Sequence, residues 1–131
     1  MSDQPTAAKT VLLIEDELPF RQIYRDGLRS YGYTVLEAED GEMGLMMIRK
    51  QKPDLIVLDL IMPKLNGFDV LAQLKNDPDL QDIPVIVYTV LAGSADTERA
   101  LKLGADDFTV KGVTPASEVA EKVQKLIGKA G

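Results

Sequence analysis

The stretch PDLIVLDLIMPKLNG, Pro53–Gly67, guides the interpretation of the whole chain. Its apolar run Leu55–Leu58 is bounded by turn-forming residues, which is typical of a short strand buried on both faces of a sheet. Asp59 follows that run directly, and burying an unpaired carboxylate costs several kcal/mol or more. A lone acid at a strand end is more often a turn or cap residue, so Asp59 gains significance only from residues elsewhere in the chain.

The composition indicates one acidic domain that lacks several common catalytic side chains. The chain has 131 residues, a formal net charge of -6, and neither cysteine nor histidine. This length is enough for a substantial core without disulfides, and the negative charge argues against a nucleic-acid surface. Without histidine the chain has neither an imidazole base nor an imidazole ligand for a metal ion. The polar N terminus carries no apolar signal segment, so we expect a cytoplasmic protein without a membrane span.

Strand-like runs alternate with amphipathic segments along the chain. The runs begin near residues 10, 33, 54, 84 and 106, and apolar positions at helical spacing follow each of them. Five such βα units favour a doubly wound parallel sheet of five strands with helices on both faces. We expect a flexible tail over residues 1–9, one domain over residues 10–128 and a short tail over residues 129–131. The methionines of the second helix, Met43, Met46 and Met47, are interpreted as core residues.

Polar side chains stand at the carboxyl ends of four of the five predicted strands. They are Glu15 and Asp16 after the first strand, Asp59 after the third, Thr89 after the fourth and Lys111 after the fifth. In sheets of this kind ligands bind at the carboxyl edge, near the point where the strand order reverses. If the order is 2-1-3-4-5, that point lies between the first and third strands, and the three carboxylates share one cleft.

Such a cleft predicts a cation site, because neighbouring carboxylates repel one another. Oxygen ligands without histidine or cysteine select a hard ion, Mg²⁺ or Mn²⁺, over zinc. Lys111 supplies a compact positive charge for a carboxylate or a phosphoryl oxygen, and Thr89 supplies a hydroxyl donor. An aspartate held between a metal ion and a lysine can accept a phosphoryl group as an aspartyl phosphate.

With these residues in view, the chain resembles the receiver domains of two-component response regulators, the CheY-like family. The resemblance covers residues 10–127 and rests on four segments: VLLIEDE (Val11–Glu17), LDLIMPKLNG (Leu58–Gly67), VIVYTVLAG (Val85–Gly93) and GADDFTVKG (Gly104–Gly112). It implies the flavodoxin-like strand order 2-1-3-4-5 with five flanking helices. It also implies a phosphorylation-dependent signalling switch, which catalyses its own phosphorylation and slow dephosphorylation but is not a turnover enzyme.

The resemblance assigns roles to individual residues. Asp59 would be the phosphoacceptor, and Lys111 and Thr89 would bind the phosphoryl oxygens. Thr89 and Phe108 would form the conformational switch. The implied direct ligands of Mg²⁺ are the carboxylates of Asp16 and Asp59 and the backbone carbonyl of Ile61. Glu15 would contact the ion through water.

The resemblance also implies partners. A sensor histidine kinase or a histidine phosphotransfer protein would donate the phosphoryl group. A downstream protein effector would read the face formed by the fourth helix, the fifth strand and the fifth helix. We expect no direct DNA binding and no membrane association. Whether the chain is a stand-alone regulator or the receiver of a longer protein stays open at this point.

Two positions near the site depart from the family pattern, one in its peptide bond and one in the length of its side chain. Gly112 follows Lys111, where the family has a proline after a cis peptide bond. A cis bond before a residue other than proline costs roughly 2.5–4 kcal/mol, so we expect a trans bond and a more mobile turn. Glu15 stands where the family has aspartate most often, and its extra methylene suits a water-mediated role.

Apolar residues near the predicted phosphoacceptor form a third departure. Val90 and Leu91 follow Thr89, where a small residue is usual, and Ile61 lies two positions after Asp59. Ile61 and Leu91 cannot hydrogen bond to an attacking water. We therefore expect slow hydrolysis, with a phosphoryl group that persists for minutes or longer.

Three other functions are weighed against a phosphorylated switch. A phosphatase of the haloacid dehalogenase type would need a second aspartate where this chain has Ile61. A flavodoxin-like cofactor site would need a phosphate-binding loop where Glu15–Glu17 would repel phosphate. A pseudo-receiver that docks partners without phosphorylation remains the alternative, although the complete set of site residues argues against it.

Overall fold

The computed structural model describes residues 8–90 and 95–131, and in this part of the chain five strands alternate with five helices. The strands are β1 Thr10–Ile14, β2 Thr34–Ala38, β3 Leu55–Asp59, β4 Val85–Thr89 and β5 Asp107–Val110. The helices are α1 Leu18–Ser30, α2 Gly41–Lys50, α3 Gly67–Lys75, α4 Ala95–Lys102 and α5 Ala116–Ile127. None of these helices is long and apolar enough to cross a bilayer.

The strands form one parallel sheet in the order β2-β1-β3-β4-β5, which confirms the order implied by the resemblance. β1 pairs with both β2 and β3, so the strand order reverses between β1 and β3. Ile14 of β1 lies opposite Leu58 of β3, and Asp59 lies opposite Tyr88 of β4. Because all strands are parallel, the residues that follow them lie at one carboxyl edge.

Alternate strand residues enter two separate cores, one on each face of the sheet. Leu12 and Ile14 pack on the face covered by α2, α3 and α4. Val11 and Leu13 pack on the face covered by α1 and α5. Glu15 continues the second alternation, which explains why its side chain meets residues of the α1 and α5 face.

The interpretation of the three methionines of α2 as core residues was wrong for two of them. Met43 and Met46 are 36% and 63% exposed, whereas Met47 packs against the core from a half-buried position. Leu45 and Ile48 occupy the buried stripe of this helix instead. A short helix on a sheet buries only one stripe, so the remaining apolar residues face water.

Two residues assigned to the flexible tails, Lys9 and Ala130, belong to the folded part of the chain. The N–H of Lys9 donates to the carbonyl of Ala130 at 2.8 Å, and the Lys9 carbonyl accepts from Thr34 at 3.0 Å. The hydroxyl of Tyr33 donates to the carbonyl of Gly128 at 2.6 Å. The segment after α5 is therefore tied to the start of β1 at the amino edge of the sheet.

The turn between β5 and α5 is held by hydrogen bonds to α1. The Lys111–Gly112 bond is trans, as predicted, because the described residues contain no cis peptide. Gly112 has a φ of 81°, which favours glycine. Its N–H donates to the hydroxyl of Tyr24 at 3.0 Å, and that hydroxyl donates to the carbonyl of Thr114 at 3.0 Å. These bonds argue against the greater mobility that the sequence suggested.

Candidate functional site

Lys111 is the centre of a charged cluster at the carboxyl edge of the sheet. Its buried Nζ lies 2.8 Å from Glu15 Oε1, 2.7 Å from Glu17 Oε1 and 3.1 Å from Asp59 Oδ2. Burial lowers the pKa of Lys111, but the three carboxylates outweigh burial, so its pKa lies above the usual value. An ammonium has three N–H donors, and this one faces three carboxylates. Side chains from the carboxyl ends of the first, third and fifth strands therefore come together, as the sequence predicted.

Asp59 is almost fully buried at the end of β3, with 1% of its surface exposed. Its Oδ2 faces Lys111, and its Oδ1 accepts the backbone N–H of Ile61 at 3.1 Å. Burial and the negative charge of Glu15 raise the pKa of Asp59 to about 7, although the two hydrogen bonds oppose this shift. A further positive charge nearby would favour the ionised carboxylate.

Glu15 is fully buried and bound by protein donors at both carboxylate oxygens. Its Oε1 accepts the hydroxyl of Tyr88 at 2.6 Å as well as Lys111, and its Oε2 accepts the N–H of Glu17 at 3.0 Å. Burial raises the pKa of Glu15, but the hydrogen bonds from Lys111 and Tyr88 outweigh burial, so the pKa is lowered. The water-mediated metal contact expected for Glu15 stays a prediction.

Asp16 carries a buried carboxylate oxygen that has no hydrogen-bond partner among the described residues. Its Oδ1 is buried without a hydrogen-bond partner, and burial together with Glu15 raises the pKa of Asp16. Carboxylate oxygens of Glu15, Asp16 and Glu17 lie within 4.8 Å of one another. A buried oxygen of this kind, in an all-oxygen environment, suits a hard divalent cation such as Mg²⁺.

The other predicted site residues lie around the same edge. Thr89 is fully buried at the end of β4, and its carbonyl accepts the N–H of Lys111 at 2.9 Å. Phe108 is half-buried on β5 and packs against the core on the α2 and α3 face. Ile61 and Val90 are 50% and 59% exposed. The predicted shielding by Leu91 falls outside the described residues.

Sequence reasoning missed two residues that contact the cluster, Glu17 and Tyr88. Tyr88 lies opposite Asp59 in the sheet, and its ring packs edge to face against Tyr24 at 5.1 Å. Burial and Glu15 raise the pKa of Tyr88, so its hydroxyl is a donor. A signal existed in the sequence, because a tyrosine inside an otherwise buried strand needs a polar partner. Glu17 could be suspected only from its place beside the other two acids.

The fold and this cluster define a class: doubly wound α/β domains with an acidic cleft at the carboxyl edge, closed by a lysine. The family model for the response regulator receiver domain matches residues 11–124. The chain belongs to this family, the receiver domains of two-component response regulators.

Similar proteins agree with this assignment. A probable transcriptional regulator, ycf27, from Cyanophora paradoxa is 39% identical over 119 residues, which cover 91% of this chain and 48% of that protein. This chain thus spans about half the length of that relative.

Two solved structures illustrate the likeness of fold. One is the receiver domain of a signal transduction histidine kinase from Syntrophus aciditrophicus, 32% identical with a TM-score of 0.83, covering 92% of this chain and 90% of that one. The other is the Mn²⁺-bound form of response regulator Rcp1, 26% identical with a TM-score of 0.78, covering 89% and 92%.

Proposed function

We propose that this receiver domain is a signalling switch in which Asp59 accepts a phosphoryl group from a phosphohistidine. The donor would be a sensor histidine kinase or a histidine phosphotransfer protein. The observation that carries this proposal is the approach of Lys111 Nζ to Asp59 Oδ2 at 3.1 Å, beside an unpartnered oxygen of Asp16. Transfer of a phosphoryl group to a carboxylate requires a nucleophile, a positive charge beside it and a ligand for a metal ion, and these are supplied here by Asp59, Lys111 and Asp16.

The transfer is a displacement at phosphorus. An oxygen of the ionised Asp59 forms the new P–O bond, while the P–N bond breaks and its electron pair passes to the leaving imidazole. Lys111 and the hydroxyl of Thr89 bind phosphoryl oxygens and stabilise their charge. Because catalysis here is mostly positioning and charge neutralisation, no base on this chain is needed.

A divalent cation, Mg²⁺ or Mn²⁺, fits the donors at this edge. Asp16, Asp59 and the carbonyl of Ile61 would hold it directly, and Glu15 would do so through water. When bound, the ion neutralises charge on the transferring phosphoryl group. The raised pKa values of Asp16 and Asp59 support this assignment, because the positive charge around these two carboxylates does not offset their burial and the charge of Glu15, and a metal ion would supply more. The similar regulator Rcp1 has been solved in a Mn²⁺-bound form.

Phosphorylation would change the partner-binding face through local electrostatics. The aspartyl phosphate carries about two negative charges where the ionised carboxylate of Asp59 carried one. Thr89 turns towards it, and Phe108 fills the space that Thr89 leaves, which biases a two-state equilibrium on the face of α4, β5 and α5. A protein effector reads that face. The domain would act in the cytoplasm as a switch with slow self-dephosphorylation, without turnover of a substrate and without direct DNA binding.

The decisive experiment uses a small phosphodonor. Wild type, Asp59→Asn and the matched control Asp54→Asn are incubated with acetyl phosphate and Mg²⁺ and compared by intact mass. Asp54 lies just before the same strand, at its opposite end. We expect wild type and Asp54→Asn to gain one phosphoryl group and Asp59→Asn to gain none. A folded wild type that gains none would favour a pseudo-receiver that docks partners without phosphorylation.

A further inference from the structure

Glu17 binds Lys111 from the solvent side of the cluster. Its Oε1 lies 2.7 Å from Lys111 Nζ, the shortest of the three carboxylate contacts of this ammonium. The Glu17 side chain is 55% exposed, whereas those of Glu15 and Asp59 are 0% and 1% exposed. Glu17 therefore reaches the buried amine from the rim of the site.

The three contacts of Lys111 differ in how easily they can be released. Glu15 is enclosed and also bound by Tyr88, so withdrawing it would leave a buried carboxylate with less compensation. Asp59 is the group that accepts the phosphoryl group. The carboxylate of Glu17 can turn into water, where it is fully solvated. With three donors on the amine, a phosphoryl oxygen that binds Lys111 displaces Glu17.

We propose that Glu17 is a positioning residue that occupies Lys111 in the resting state and competes with the incoming phosphoryl group. This inference rests on the proposed phosphorylation of Asp59. Glu17 slows formation of the aspartyl phosphate, because its contact with Lys111 breaks before the transition state. It leaves decay unchanged, because the contact is absent both from the phosphorylated state and from the transition state of its hydrolysis.

The expected magnitude follows from the exposure of Glu17, the solvent-facing partner of the ion pair. Exposed ion pairs alter an equilibrium about two- to five-fold. Removing the charge in Glu17→Gln should therefore raise the rate of phosphorylation by acetyl phosphate about two- to five-fold. Glu17→Ala, which removes the acceptor altogether, should be at least as fast.

A matched control separates this contact from the general loss of negative charge. Glu39 is an exposed acid that directly follows β2, at the same edge of the sheet. Glu39→Gln removes the same charge without touching the contacts of Lys111. Phosphorylation by acetyl phosphate at saturating Mg²⁺, and decay after removal of the donor, are measured for wild type and all three variants. We expect only the two Glu17 variants to form faster, with decay rates equal to that of wild type.

Three results would overturn the inference. Equal formation rates in Glu17→Gln and Glu39→Gln would show a general charge effect. Parallel changes in formation and decay would show a structural role. Mg²⁺ binding without phosphodonor is measured by tyrosine fluorescence. Weaker binding by Glu17→Gln than by wild type would assign Glu17 to the metal site instead. Failure of the proposed function looks different, because wild type itself then gains no phosphoryl group.

Discussion

Both edges of the sheet carry acids next to strand ends, but the two edges pair them differently. At the amino edge, Asp54 accepts the backbone N–H of Thr10 at 2.7 Å, and Asp106 accepts that of Val85 at 2.8 Å. At the carboxyl edge, Asp59 shares one ammonium with two glutamates. Parallel strands present N–H groups at their starts and carbonyls at their ends. An acid beside strand starts therefore accepts N–H groups of the strands themselves, whereas Glu15 and Asp59 beside strand ends combine N–H groups of the following loops with the ammonium of Lys111.

The largest expected effect comes from removing the ammonium of Lys111 at the carboxyl edge. Lys111→Met would leave Glu15 and Asp59 buried without their positive partner, which costs about 3–5 kcal/mol of unfolding free energy. Urea denaturation without divalent ions measures the loss. Added Mg²⁺ should recover part of it, since the ion supplies the missing charge. A loss below about 1 kcal/mol would mean that the carboxylates are stabilised by other groups.

The next effect concerns the ionisation of Asp59 and depends on pH. Its folded pKa of about 7 lies above the unfolded value of about 3.9, so the folded state binds more protons between these values. Ionisation therefore destabilises the fold most above pH 7, and the penalty is relieved as pH falls through 7.

The test of this ionisation penalty is Asp59→Asn without divalent ions. The variant should be more stable than wild type by about 1–3 kcal/mol at pH 8, and the gain should shrink towards pH 5. Urea denaturation at several pH values, with a chelator present, measures the difference. A gain of equal size at pH 5 and pH 8 would contradict the raised pKa of Asp59.

The smallest effect tests the amino edge. Asp54→Ala removes the acceptor of the Thr10 N–H, and a single hydrogen bond contributes about 0.5–1.5 kcal/mol. The loss should be the same with and without Mg²⁺, because Asp54 lies at the opposite end of the sheet from the cluster. Thermal denaturation in both conditions measures it. A strong dependence on Mg²⁺ would show that the two edges are coupled.

Much of the fold could be predicted because its signals are local. The apolar run Leu55–Leu58 with turn residues on both sides predicts β3, and the other strands follow from runs of the same kind. Helical spacing was less informative about orientation. It did not distinguish Met46, which faces water, from Ile48, which is buried, because both fit the periodicity of a short helix on a sheet.

The sequence by itself determined the five βα units and the positions of Glu15, Asp16, Asp59, Thr89 and Lys111 at one edge, because parallel strands bring their carboxyl ends together. Only the tertiary structure decided which groups the ammonium of Lys111 contacts. It added Glu17 from the rim and the hydroxyl of Tyr88 from within the sheet. These contacts depend on strand register and on the reach of long side chains, which the order of residues along the chain does not specify.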